Sequence, residues 1–304
     1  MTDYHEPRTL DEACELLQRY GDDAKVLAGG TALVLFMRQG LLDPACLINI
    51  QHIPELAGIR EAAPAPLSGE GWGGGLRLGA LTTHAQAAAS PLTRDQYPAL
   101  VSTFRHVATP RIRNAGTIGG NLAHGDPHLD PPVTLLVLDA RVGAQSMRGR
   151  RELPLSELFR NYYETSLAPD EILTEILLPL PPAGSGAAFI KFLPRSQDDY
   201  ATVDVAAWVR LAPGSADGKI ADLRIALGSV GPVPFRAAEA EAILKGESIG
   251  DEPLAEAGER AAAACDPEDD VRGSAAYKRE VVKVLVGRAV RQAVEAAKVE
   301  GGRG

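Results

Sequence analysis

TPRIRNAGTIGGNLAHGDPHLD, residues 109–130, is the stretch on which the reading of this chain turns. Gly116, Gly119 and Gly120 stand within five residues of Asn121, and Pro127, then Pro131 and Pro132, punctuate the chain beyond them. A run of this kind has no apolar face and no helical period, and its prolines exclude a long helix or a central strand. Glycine tolerates positive φ and lacks a Cβ, so such a loop can press main-chain N–H groups onto something flat or anionic. Asp130, ahead of two prolines and the apolar run VTLLVLDA, has the position of an N-cap before a helix. The expectation is a backbone cradle ending at a helix start, which is a place for a cofactor.

A second stretch repeats the theme. KVLAGGTALVLFMRQG, residues 25–40, reads as a strand over 25–27, a turn at Ala28, Gly29 and Gly30, and a helix from Thr31 to about Arg38. Strand, double glycine and helix start together offer N–H groups to an anion. CLINI, residues 46–50, then reads as a buried strand and completes a small β–α–β unit. Neither glycine turn matches the dinucleotide pattern G-x-G-x-x-G or a phosphate loop ending in Gly-Lys-Ser/Thr, and either alone would pass for a tight turn. Two in one domain are harder to dismiss.

Length and composition set the frame. A chain of 304 residues suggests two domains, and 45% apolar with 23% charged residues is an ordinary globular balance. A net charge of −9 argues against a nucleic-acid partner, which needs a basic face. No apolar run approaches the roughly 18 residues of a membrane span. The start, MTDYHEPRTLDEACELL, lacks the basic-then-apolar order of a secretory signal. Cys14, Cys46 and Cys265 are too scattered for an iron–sulfur or zinc motif, so reduced thiols in the cytoplasm are expected. Any metal–sulfur centre must then belong to another polypeptide.

Along the chain, residues 9–21 make an amphipathic helix, with Thr9 and Glu12 at capping-box spacing and Gly21 at its end. Residues 64–75 turn to Pro, Gly and Ser, the mark of a surface loop or subdomain joint. A strand LRLGAL (76–81), the polar Thr82, Thr83 and His84, an alanine-rich helix and a helix over 100–108 lead into the glycine stretch. Short strands come next at 141–146, 152–155 and 172–179, and PPAGSG (181–186) is the best domain boundary. Beyond it, strands at 188–193, 201–211 and 223–227 precede helices at 236–246, 253–264 and 274–298. Along the last helix Tyr277, Val281, Leu285, Ala289, Ala293 and Ala297 recur every fourth residue. Strands followed by helices make an α+β domain with an antiparallel sheet.

His124, Asp126, His128 and Asp130 alternate as metal ligands on a strand would, yet Pro127 interrupts the strand and nothing nearby completes the set. A cofactor loop is therefore preferred to a catalytic metal. His84 and His106 read as helix-start or surface histidines, and no Gly-x-Ser-x-Gly elbow exists. Arg111 and Arg113 are either solvated or available to a cofactor phosphate or an acidic partner. Lys191, among Ile190, Phe192 and Leu193, either snorkels to water or reaches into a cleft.

Six blocks occur in a telling order: AGGTALVLFMR, LINIQHIPELAGI, LGALTTHAQAAAS, RIRNAGTIGGNLAHGDPHLDPPVTLLVLDA, KFLPRSQDDYATVDVAAWV and GSVGPVPFRAAEAEAIL. Together they resemble the FAD-binding medium subunits of molybdenum hydroxylases, whose relatives include the FAD domain of xanthine dehydrogenase. The resemblance implies a PCMH-type FAD-binding domain over 1–182, with subdomains near 1–57 and 58–182, and a C-terminal flavoprotein domain over 183–304. It implies that Val26, Leu27, Ala28, Gly29, Gly30, Thr31, Ala32 and Leu33 wrap the FAD diphosphate through main-chain amides. Thr117, Ile118, Gly119, Gly120 and Asn121 would form the second cradle, Asp130 would meet polar groups of the cofactor, and Val107, Leu173 and Lys191 would line it. The family often has a polar residue where Ala32 stands, so a hydroxyl to phosphate is missing here. The Cys-rich insertion of some relatives is absent.

The implied function is electron relay. A molybdopterin large subunit hydroxylates the substrate, a [2Fe–2S] small subunit passes electrons on, and the FAD here delivers them to NAD, a quinone, oxygen or a carrier protein. The expected assembly is a dimer of heterotrimers. No catalytic side chain and no metal on this chain are required. Two alternatives stand beside it, a metal-dependent hydrolase using His124, Asp126, His128 and Asp130, and a structural subunit without flavin. On the cradle reading, a β-branched residue at Gly119 displaces FAD and leaves the fold intact.

Overall fold

The computed structural model describes residues 2–62, 74–194, 196, 198–214 and 218–301. The first unit is β1 (Asp3–His5), α1 (Leu10–Tyr20), β2 (Ala24–Leu27), α2 (Leu33–Arg38) and β3 (Cys46–Asn49). The Thr9–Glu12 capping box forms reciprocally, and Gly21 closes α1 at φ 56°. One face of α1, with Leu10, Ala13, Cys14 and Leu17, packs on Ile48, Ile50, Ile53 and Leu56. The strands are parallel in the order β1–β3–β2, so the β–α–β expectation holds. The short strand β1 was not legible, because three polar residues carry no period. All three cysteines are free and buried, and burial pushes the Cys14 thiol up to about 11 and Cys265 to about 12.

The second unit holds β4 (Ile59–Ala62), β5 (Gly75–Gly79), α3 (His84–Ala89), α4 (Pro91–Gln96), α5 (Pro98–His106), α6 (Pro110–Ala115), α7 (Ile118–His124) and α8 (Asp130–Val137). It continues with β6 (Arg141–Ser146), β7 (Gly149–Pro154), the hairpin β8 (Phe159–Asn161) and β9 (Glu164–Thr165), and β10 (Ile172–Pro179). The joint expected over 64–75 lies outside the described residues apart from its last two. The sheet is antiparallel, in the order β4–β5–β10–β6–β7. Leu76, Leu78, Val142, Leu153, Ile176 and Leu178 fill its inner face, against Leu100 and Phe104 of α5 and Leu122 of α7. On the outer face Arg77 grips Glu175 with bonds of 2.8 and 2.7 Å, and Arg150 joins the same carboxylate.

The 109–130 stretch departs from the bare loop expected of it. Threonine hydroxyls nucleate two short helices: Ile112 N–H donates to Thr109 Oγ1 (3.3 Å) and Gly120 N–H to Thr117 Oγ1 (3.0 Å). Gly125, left-handed at φ 67°, ends the second. Asp130 is not the N-cap of α8; Leu129 is, and Asp130 is the first helical residue with its carboxylate turned elsewhere. His84 does open α3, yet it is buried rather than at the surface, its ring 5.7 Å from Phe104 and its Nδ1 without a partner. Burial, helped by the Arg113 charge, pushes its pKa down to about 4. The unfolded chain therefore binds more protons between pH 6.5 and 4, and stability is lost as pH falls through that window. The loss amounts to ~3 kcal/mol, and acid titration of a His84→Asn variant should show a flatter curve there.

The third unit is the antiparallel sheet β11 (Ser185–Phe192), β12 (Val203–Leu211), β13 (Ile220–Gly228), β14 (Phe235–Arg236), followed by α9 (Ala238–Leu244), α10 (Asp251–Ala263) and α11 (Ala275–Gly301). Val203, Val205, Ala207 and Val209 face the three helices. The residues between them do not face water: Ala206 and Trp208, with Ala226 across from Ala206 on β13, join the core of the second unit. The agent is α8, whose eight residues are all buried between that core and the sheet. Its approach needs Gly228, where a Cβ would sit 2.5 Å from Val133 Cγ2. On α11 the buried apolar positions are Val282, Leu285, Val286, Ala289, Val290, Ala293, Val294 and Ala297, whereas Tyr277 is 44% exposed. Leu285, Ala289, Ala293 and Ala297 of the fourfold row are thus on the core face, and Tyr277 at its start has drifted off it, because a four-residue step overshoots a full turn by about 40°. Among the described residues no helix is long and apolar enough to cross a membrane.

Candidate functional site

The two glycine bends meet. A Cβ on Gly29 would lie 2.0 Å from the Ala115 carbonyl oxygen and 2.9 Å from Gly116 Cα, and one on Gly120 would lie 3.8 Å from Ala28 Cβ. A Cβ on Gly116 would come within 3.4 Å of Thr31 Oγ1. The chain after β2 and the chain between α6 and α7 are thus pressed together, main chain on main chain, where only glycine fits.

Their amides differ in use. After β2, the N–H groups of Gly29, Gly30, Thr31, Ala32 and Leu33 reach no main-chain acceptor among the described residues. Ala32, the N-cap of α2, adds no side-chain cap. Val26 and Leu27 lie in β2, paired to Ile48 and Asn49, and Gln51 Nε2 pins the Ala28 carbonyl at 2.5 Å. The second bend is a correction to the amide cradle expected there. Ile118 and Gly119 donate to the carbonyls of Thr82 and Ala80 (2.9 Å each), Gly120 to Thr117 Oγ1, and Asn121 to the Thr117 carbonyl at 2.9 Å. Its amides hold the turn itself. Gly120 is exposed there, and beside it the Asn121 Oδ1 is buried without a partner. Gly119 faces inward, since its Cβ would collide with Ala80 Cβ at 2.5 Å. A β-branched residue there disturbs the packing of α7, so the clean displacement of a ligand expected of it does not hold.

Leu173 lies beside this bend through a short relay: Gly119 donates to Ala80, and Ala80 N–H donates to the Thr174 carbonyl (2.9 Å each). Leu173 and Val107 are 4% and 7% exposed, almost closed over. Arg113, rather than reaching outward, donates from Nη1 to the carbonyls of Val107 (2.9 Å) and Ala108 (2.5 Å). It clamps a turn in which Ala108 has a φ of 36°, a left-handed conformation costly for alanine. Arg113→Ala is expected to lower stability by about 2 kcal/mol, read from the urea midpoint, and Ala108→Gly in that background to recover part of it.

Asp130 and Lys191 form the other end of the site. Lys191 Nζ, its side chain 2% exposed, donates to Asp130 Oδ2 (2.9 Å) and to the His106 carbonyl (3.0 Å). Lys191 therefore neither snorkels nor stands free in a cleft. Burial pushes the Asp130 carboxyl up to about 6 against the pull of the ammonium, and its Oδ1 is buried without a partner. The alternating metal-ligand pattern disperses. His124 packs against Phe36 and Tyr163 (5.2 Å each), Asp126 accepts from His128 Nδ1 (3.1 Å), and Asp130 belongs to Lys191. No group of three or more His, Cys, Asp or Glu side chains among the described residues is arranged to hold a metal ion.

Residues 1–181 match the family described as FAD binding domain in molybdopterin dehydrogenase, and residues 188–293 the CO dehydrogenase flavoprotein C-terminal domain. The chain belongs to the FAD-binding medium subunits of the molybdenum hydroxylases. It is 37% identical to the 6-hydroxypseudooxynicotine dehydrogenase complex subunit alpha of Paenarthrobacter nicotinovorans, over 97% of this chain and 95% of that one. It is 35% identical to the carbon monoxide dehydrogenase medium chain of Hydrogenophaga pseudoflava, over 96% of each. The solved carbon monoxide dehydrogenase from that organism superposes with a TM-score of 0.88, covering 96% of both chains at 37% identity. Quinoline 2-oxidoreductase from Pseudomonas putida 86 gives 0.86, at 29% identity and 98% of both chains.

The residues of this flavoprotein fit the cofactor of its family. Free amides between β2 and α2 suit a diphosphate. The orphaned Oδ1 atoms of Asn121 and Asp130, buried in a folded chain, call for donors such as ribityl or ring N–H and O–H groups. Sequence reasoning missed the three hydroxyl caps Thr83, Thr109 and Thr117, although Thr83 and Gln86 have capping-box spacing in plain view.

Proposed function

We propose that this chain is the FAD-carrying electron-transfer subunit of a molybdenum hydroxylase, with the cofactor held between the bend after β2 and the Asp130–Lys191 pair. The observation that carries the reading is the row of unengaged N–H groups at Gly29–Leu33 set against Gly120. FAD supplies exchange of one or two electrons when bound. The residues of this chain supply the rest. The amides of 29–33 and the start of α2 complement the diphosphate charge. Asn121 and Asp130 orient polar groups by accepting hydrogen bonds, and the dry ammonium of Lys191 offers positive charge where electrons arrive. No side chain need transfer a proton to substrate, which stays on the partner.

The partners in this reading are a [2Fe–2S] small subunit and a molybdopterin large subunit, in a dimer of heterotrimers, with the acceptor outside the complex. The division of the chain falls near residue 182, ahead of β11. Three free, buried cysteines fit a reducing compartment such as the cytoplasm.

Absorption spectroscopy of the purified protein tests the assignment: a flavin spectrum bleached by dithionite is expected, and a colourless protein counts against it. Gly120→Val separates site from fold. Its side chain enters the gap toward Ala28 and takes the Thr117 cap, at about 1 kcal/mol of stability. Flavin should be lost while the far-ultraviolet dichroism is retained. Ala32→Ser restores a hydroxyl beside the free amides, and roughly tenfold tighter FAD binding by fluorescence titration is expected, ~1.4 kcal/mol.

A further inference from the structure

Behind Lys191 lies a second acid, Asp204. The two residues are direct partners in the β11–β12 ladder, so their side chains leave the sheet on one face, toward α8. Gly228 is the next partner across, on β13, and its bare Cα leaves the Asp204 carboxylate beside Val133 of α8. Asp204 is fully buried. Ser229, held in a left-handed conformation at φ 63° and tied to the Pro127 carbonyl at 3.1 Å, places Oγ 3.2 Å from Asp204 Oδ2. Asp204 Oδ1 has no partner, and neither has Asp130 Oδ1.

The charged and titratable groups that face Asp204 are thus Lys191 from β11, Asp130 from α8, and His106, which stands at the end of α5 beyond Asp130. One ammonium serves two buried carboxyls, and of the two it touches only Asp130. Two carboxylates and one cation in a dry site leave a net negative charge, which is relieved when one acid keeps its proton. Asp130, in contact with Lys191, is the one that ionises. We propose that Asp204 is a positioning residue of the cofactor site, a protonated carboxyl that leaves the Lys191 ammonium undivided on Asp130. Burial and the Asp130 charge, both raising the Asp204 pKa, agree with this. The inference rests on the FAD reading for its consequence: when Asp204 loses its proton at alkaline pH, the pocket turns net negative and electrons enter the flavin less readily.

The test uses the full-length protein with its flavin, as wild type and as Asp204→Asn, a near-isosteric change that keeps a neutral partner for Ser229. Infrared spectroscopy at neutral pH should show a protonated-carboxyl C=O band in wild type that is missing from the variant. The flavin midpoint potential should agree between the two at neutral pH and fall below the variant's in wild type as pH rises. Absence of the band difference, or identical potential–pH curves, overturns the proposal. A purified protein without flavin instead breaks the FAD reading, and the infrared comparison can still be made on it.

Discussion

Lys191→Met is expected to lower the folding stability by about 3–5 kcal/mol, the cost of leaving a buried carboxylate without its cation. Asp130 Oδ2 would lose its ammonium donor while Oδ1 is already unpartnered, on a helix whose residues are all buried. The His106 carbonyl at the end of α5 would lose a donor as well. With the cation gone, Asp130 can fold comfortably only as the neutral acid, so its folded pKa climbs further above the unfolded value. An acid raised in this way binds more protons folded than unfolded, and stability falls as pH rises from about 4 through the folded pKa. The variant should therefore be closest to wild type in acid and worst at neutral pH, which urea midpoints measured across that range would show. Adding Asp130→Asn to Lys191→Met should recover most of the loss, because the uncompensated charge disappears. A uniform deficit at every pH, with no rescue by the second change, would mean the pair contributes packing alone.

Gly29→Ala is the second large effect. Its methyl carbon would stand 2.0 Å from the Ala115 oxygen, a contact between two main chains with no side chain free to move aside. The bends must part, at about 1–3 kcal/mol of stability, and the row of amides then turns away from Gly120. Flavin affinity should drop about 100-fold, ~2.7 kcal/mol, measured by fluorescence titration of apoprotein. Gly21→Ala is the control: it meets no atom within 4 Å, although its φ of 56° costs local strain, and it should leave flavin binding unchanged. Equal loss in both variants would tie the effect to backbone disorder instead of to the contact between the bends.

Much of this molecule was legible because local chemistry and tertiary need coincide. The α1 box needs only Thr9 and Glu12, and the β–α–β order around Gly29 and Gly30 comes from short apolar runs broken by glycine. The two glycine bends could be named as a pair for the same reason. Their meeting could not, since nothing local relates Gly29 to Ala115, eighty-six positions away by the numbering. The roles of individual donors were also hidden. An N–H in Gly119 looks the same in sequence whether it faces a diphosphate or the Ala80 carbonyl, and only the packed turn shows that it faces Ala80.

The residues by themselves determined the family, the two glycine turns and the α+β order, because these depend on residue type and spacing. Tertiary structure decided which amides stay unengaged, that Arg113 clamps Ala108, and that Lys191 is shared between Asp130 and the end of α5. It also buried both faces of β12, turning an apparent alternation of inside and outside into contact with two cores. The physical reason is the same in each case: a hydrogen bond or a dry charge is a relation between atoms brought together by long-range packing, and burial sets its strength only after the chain has closed around it.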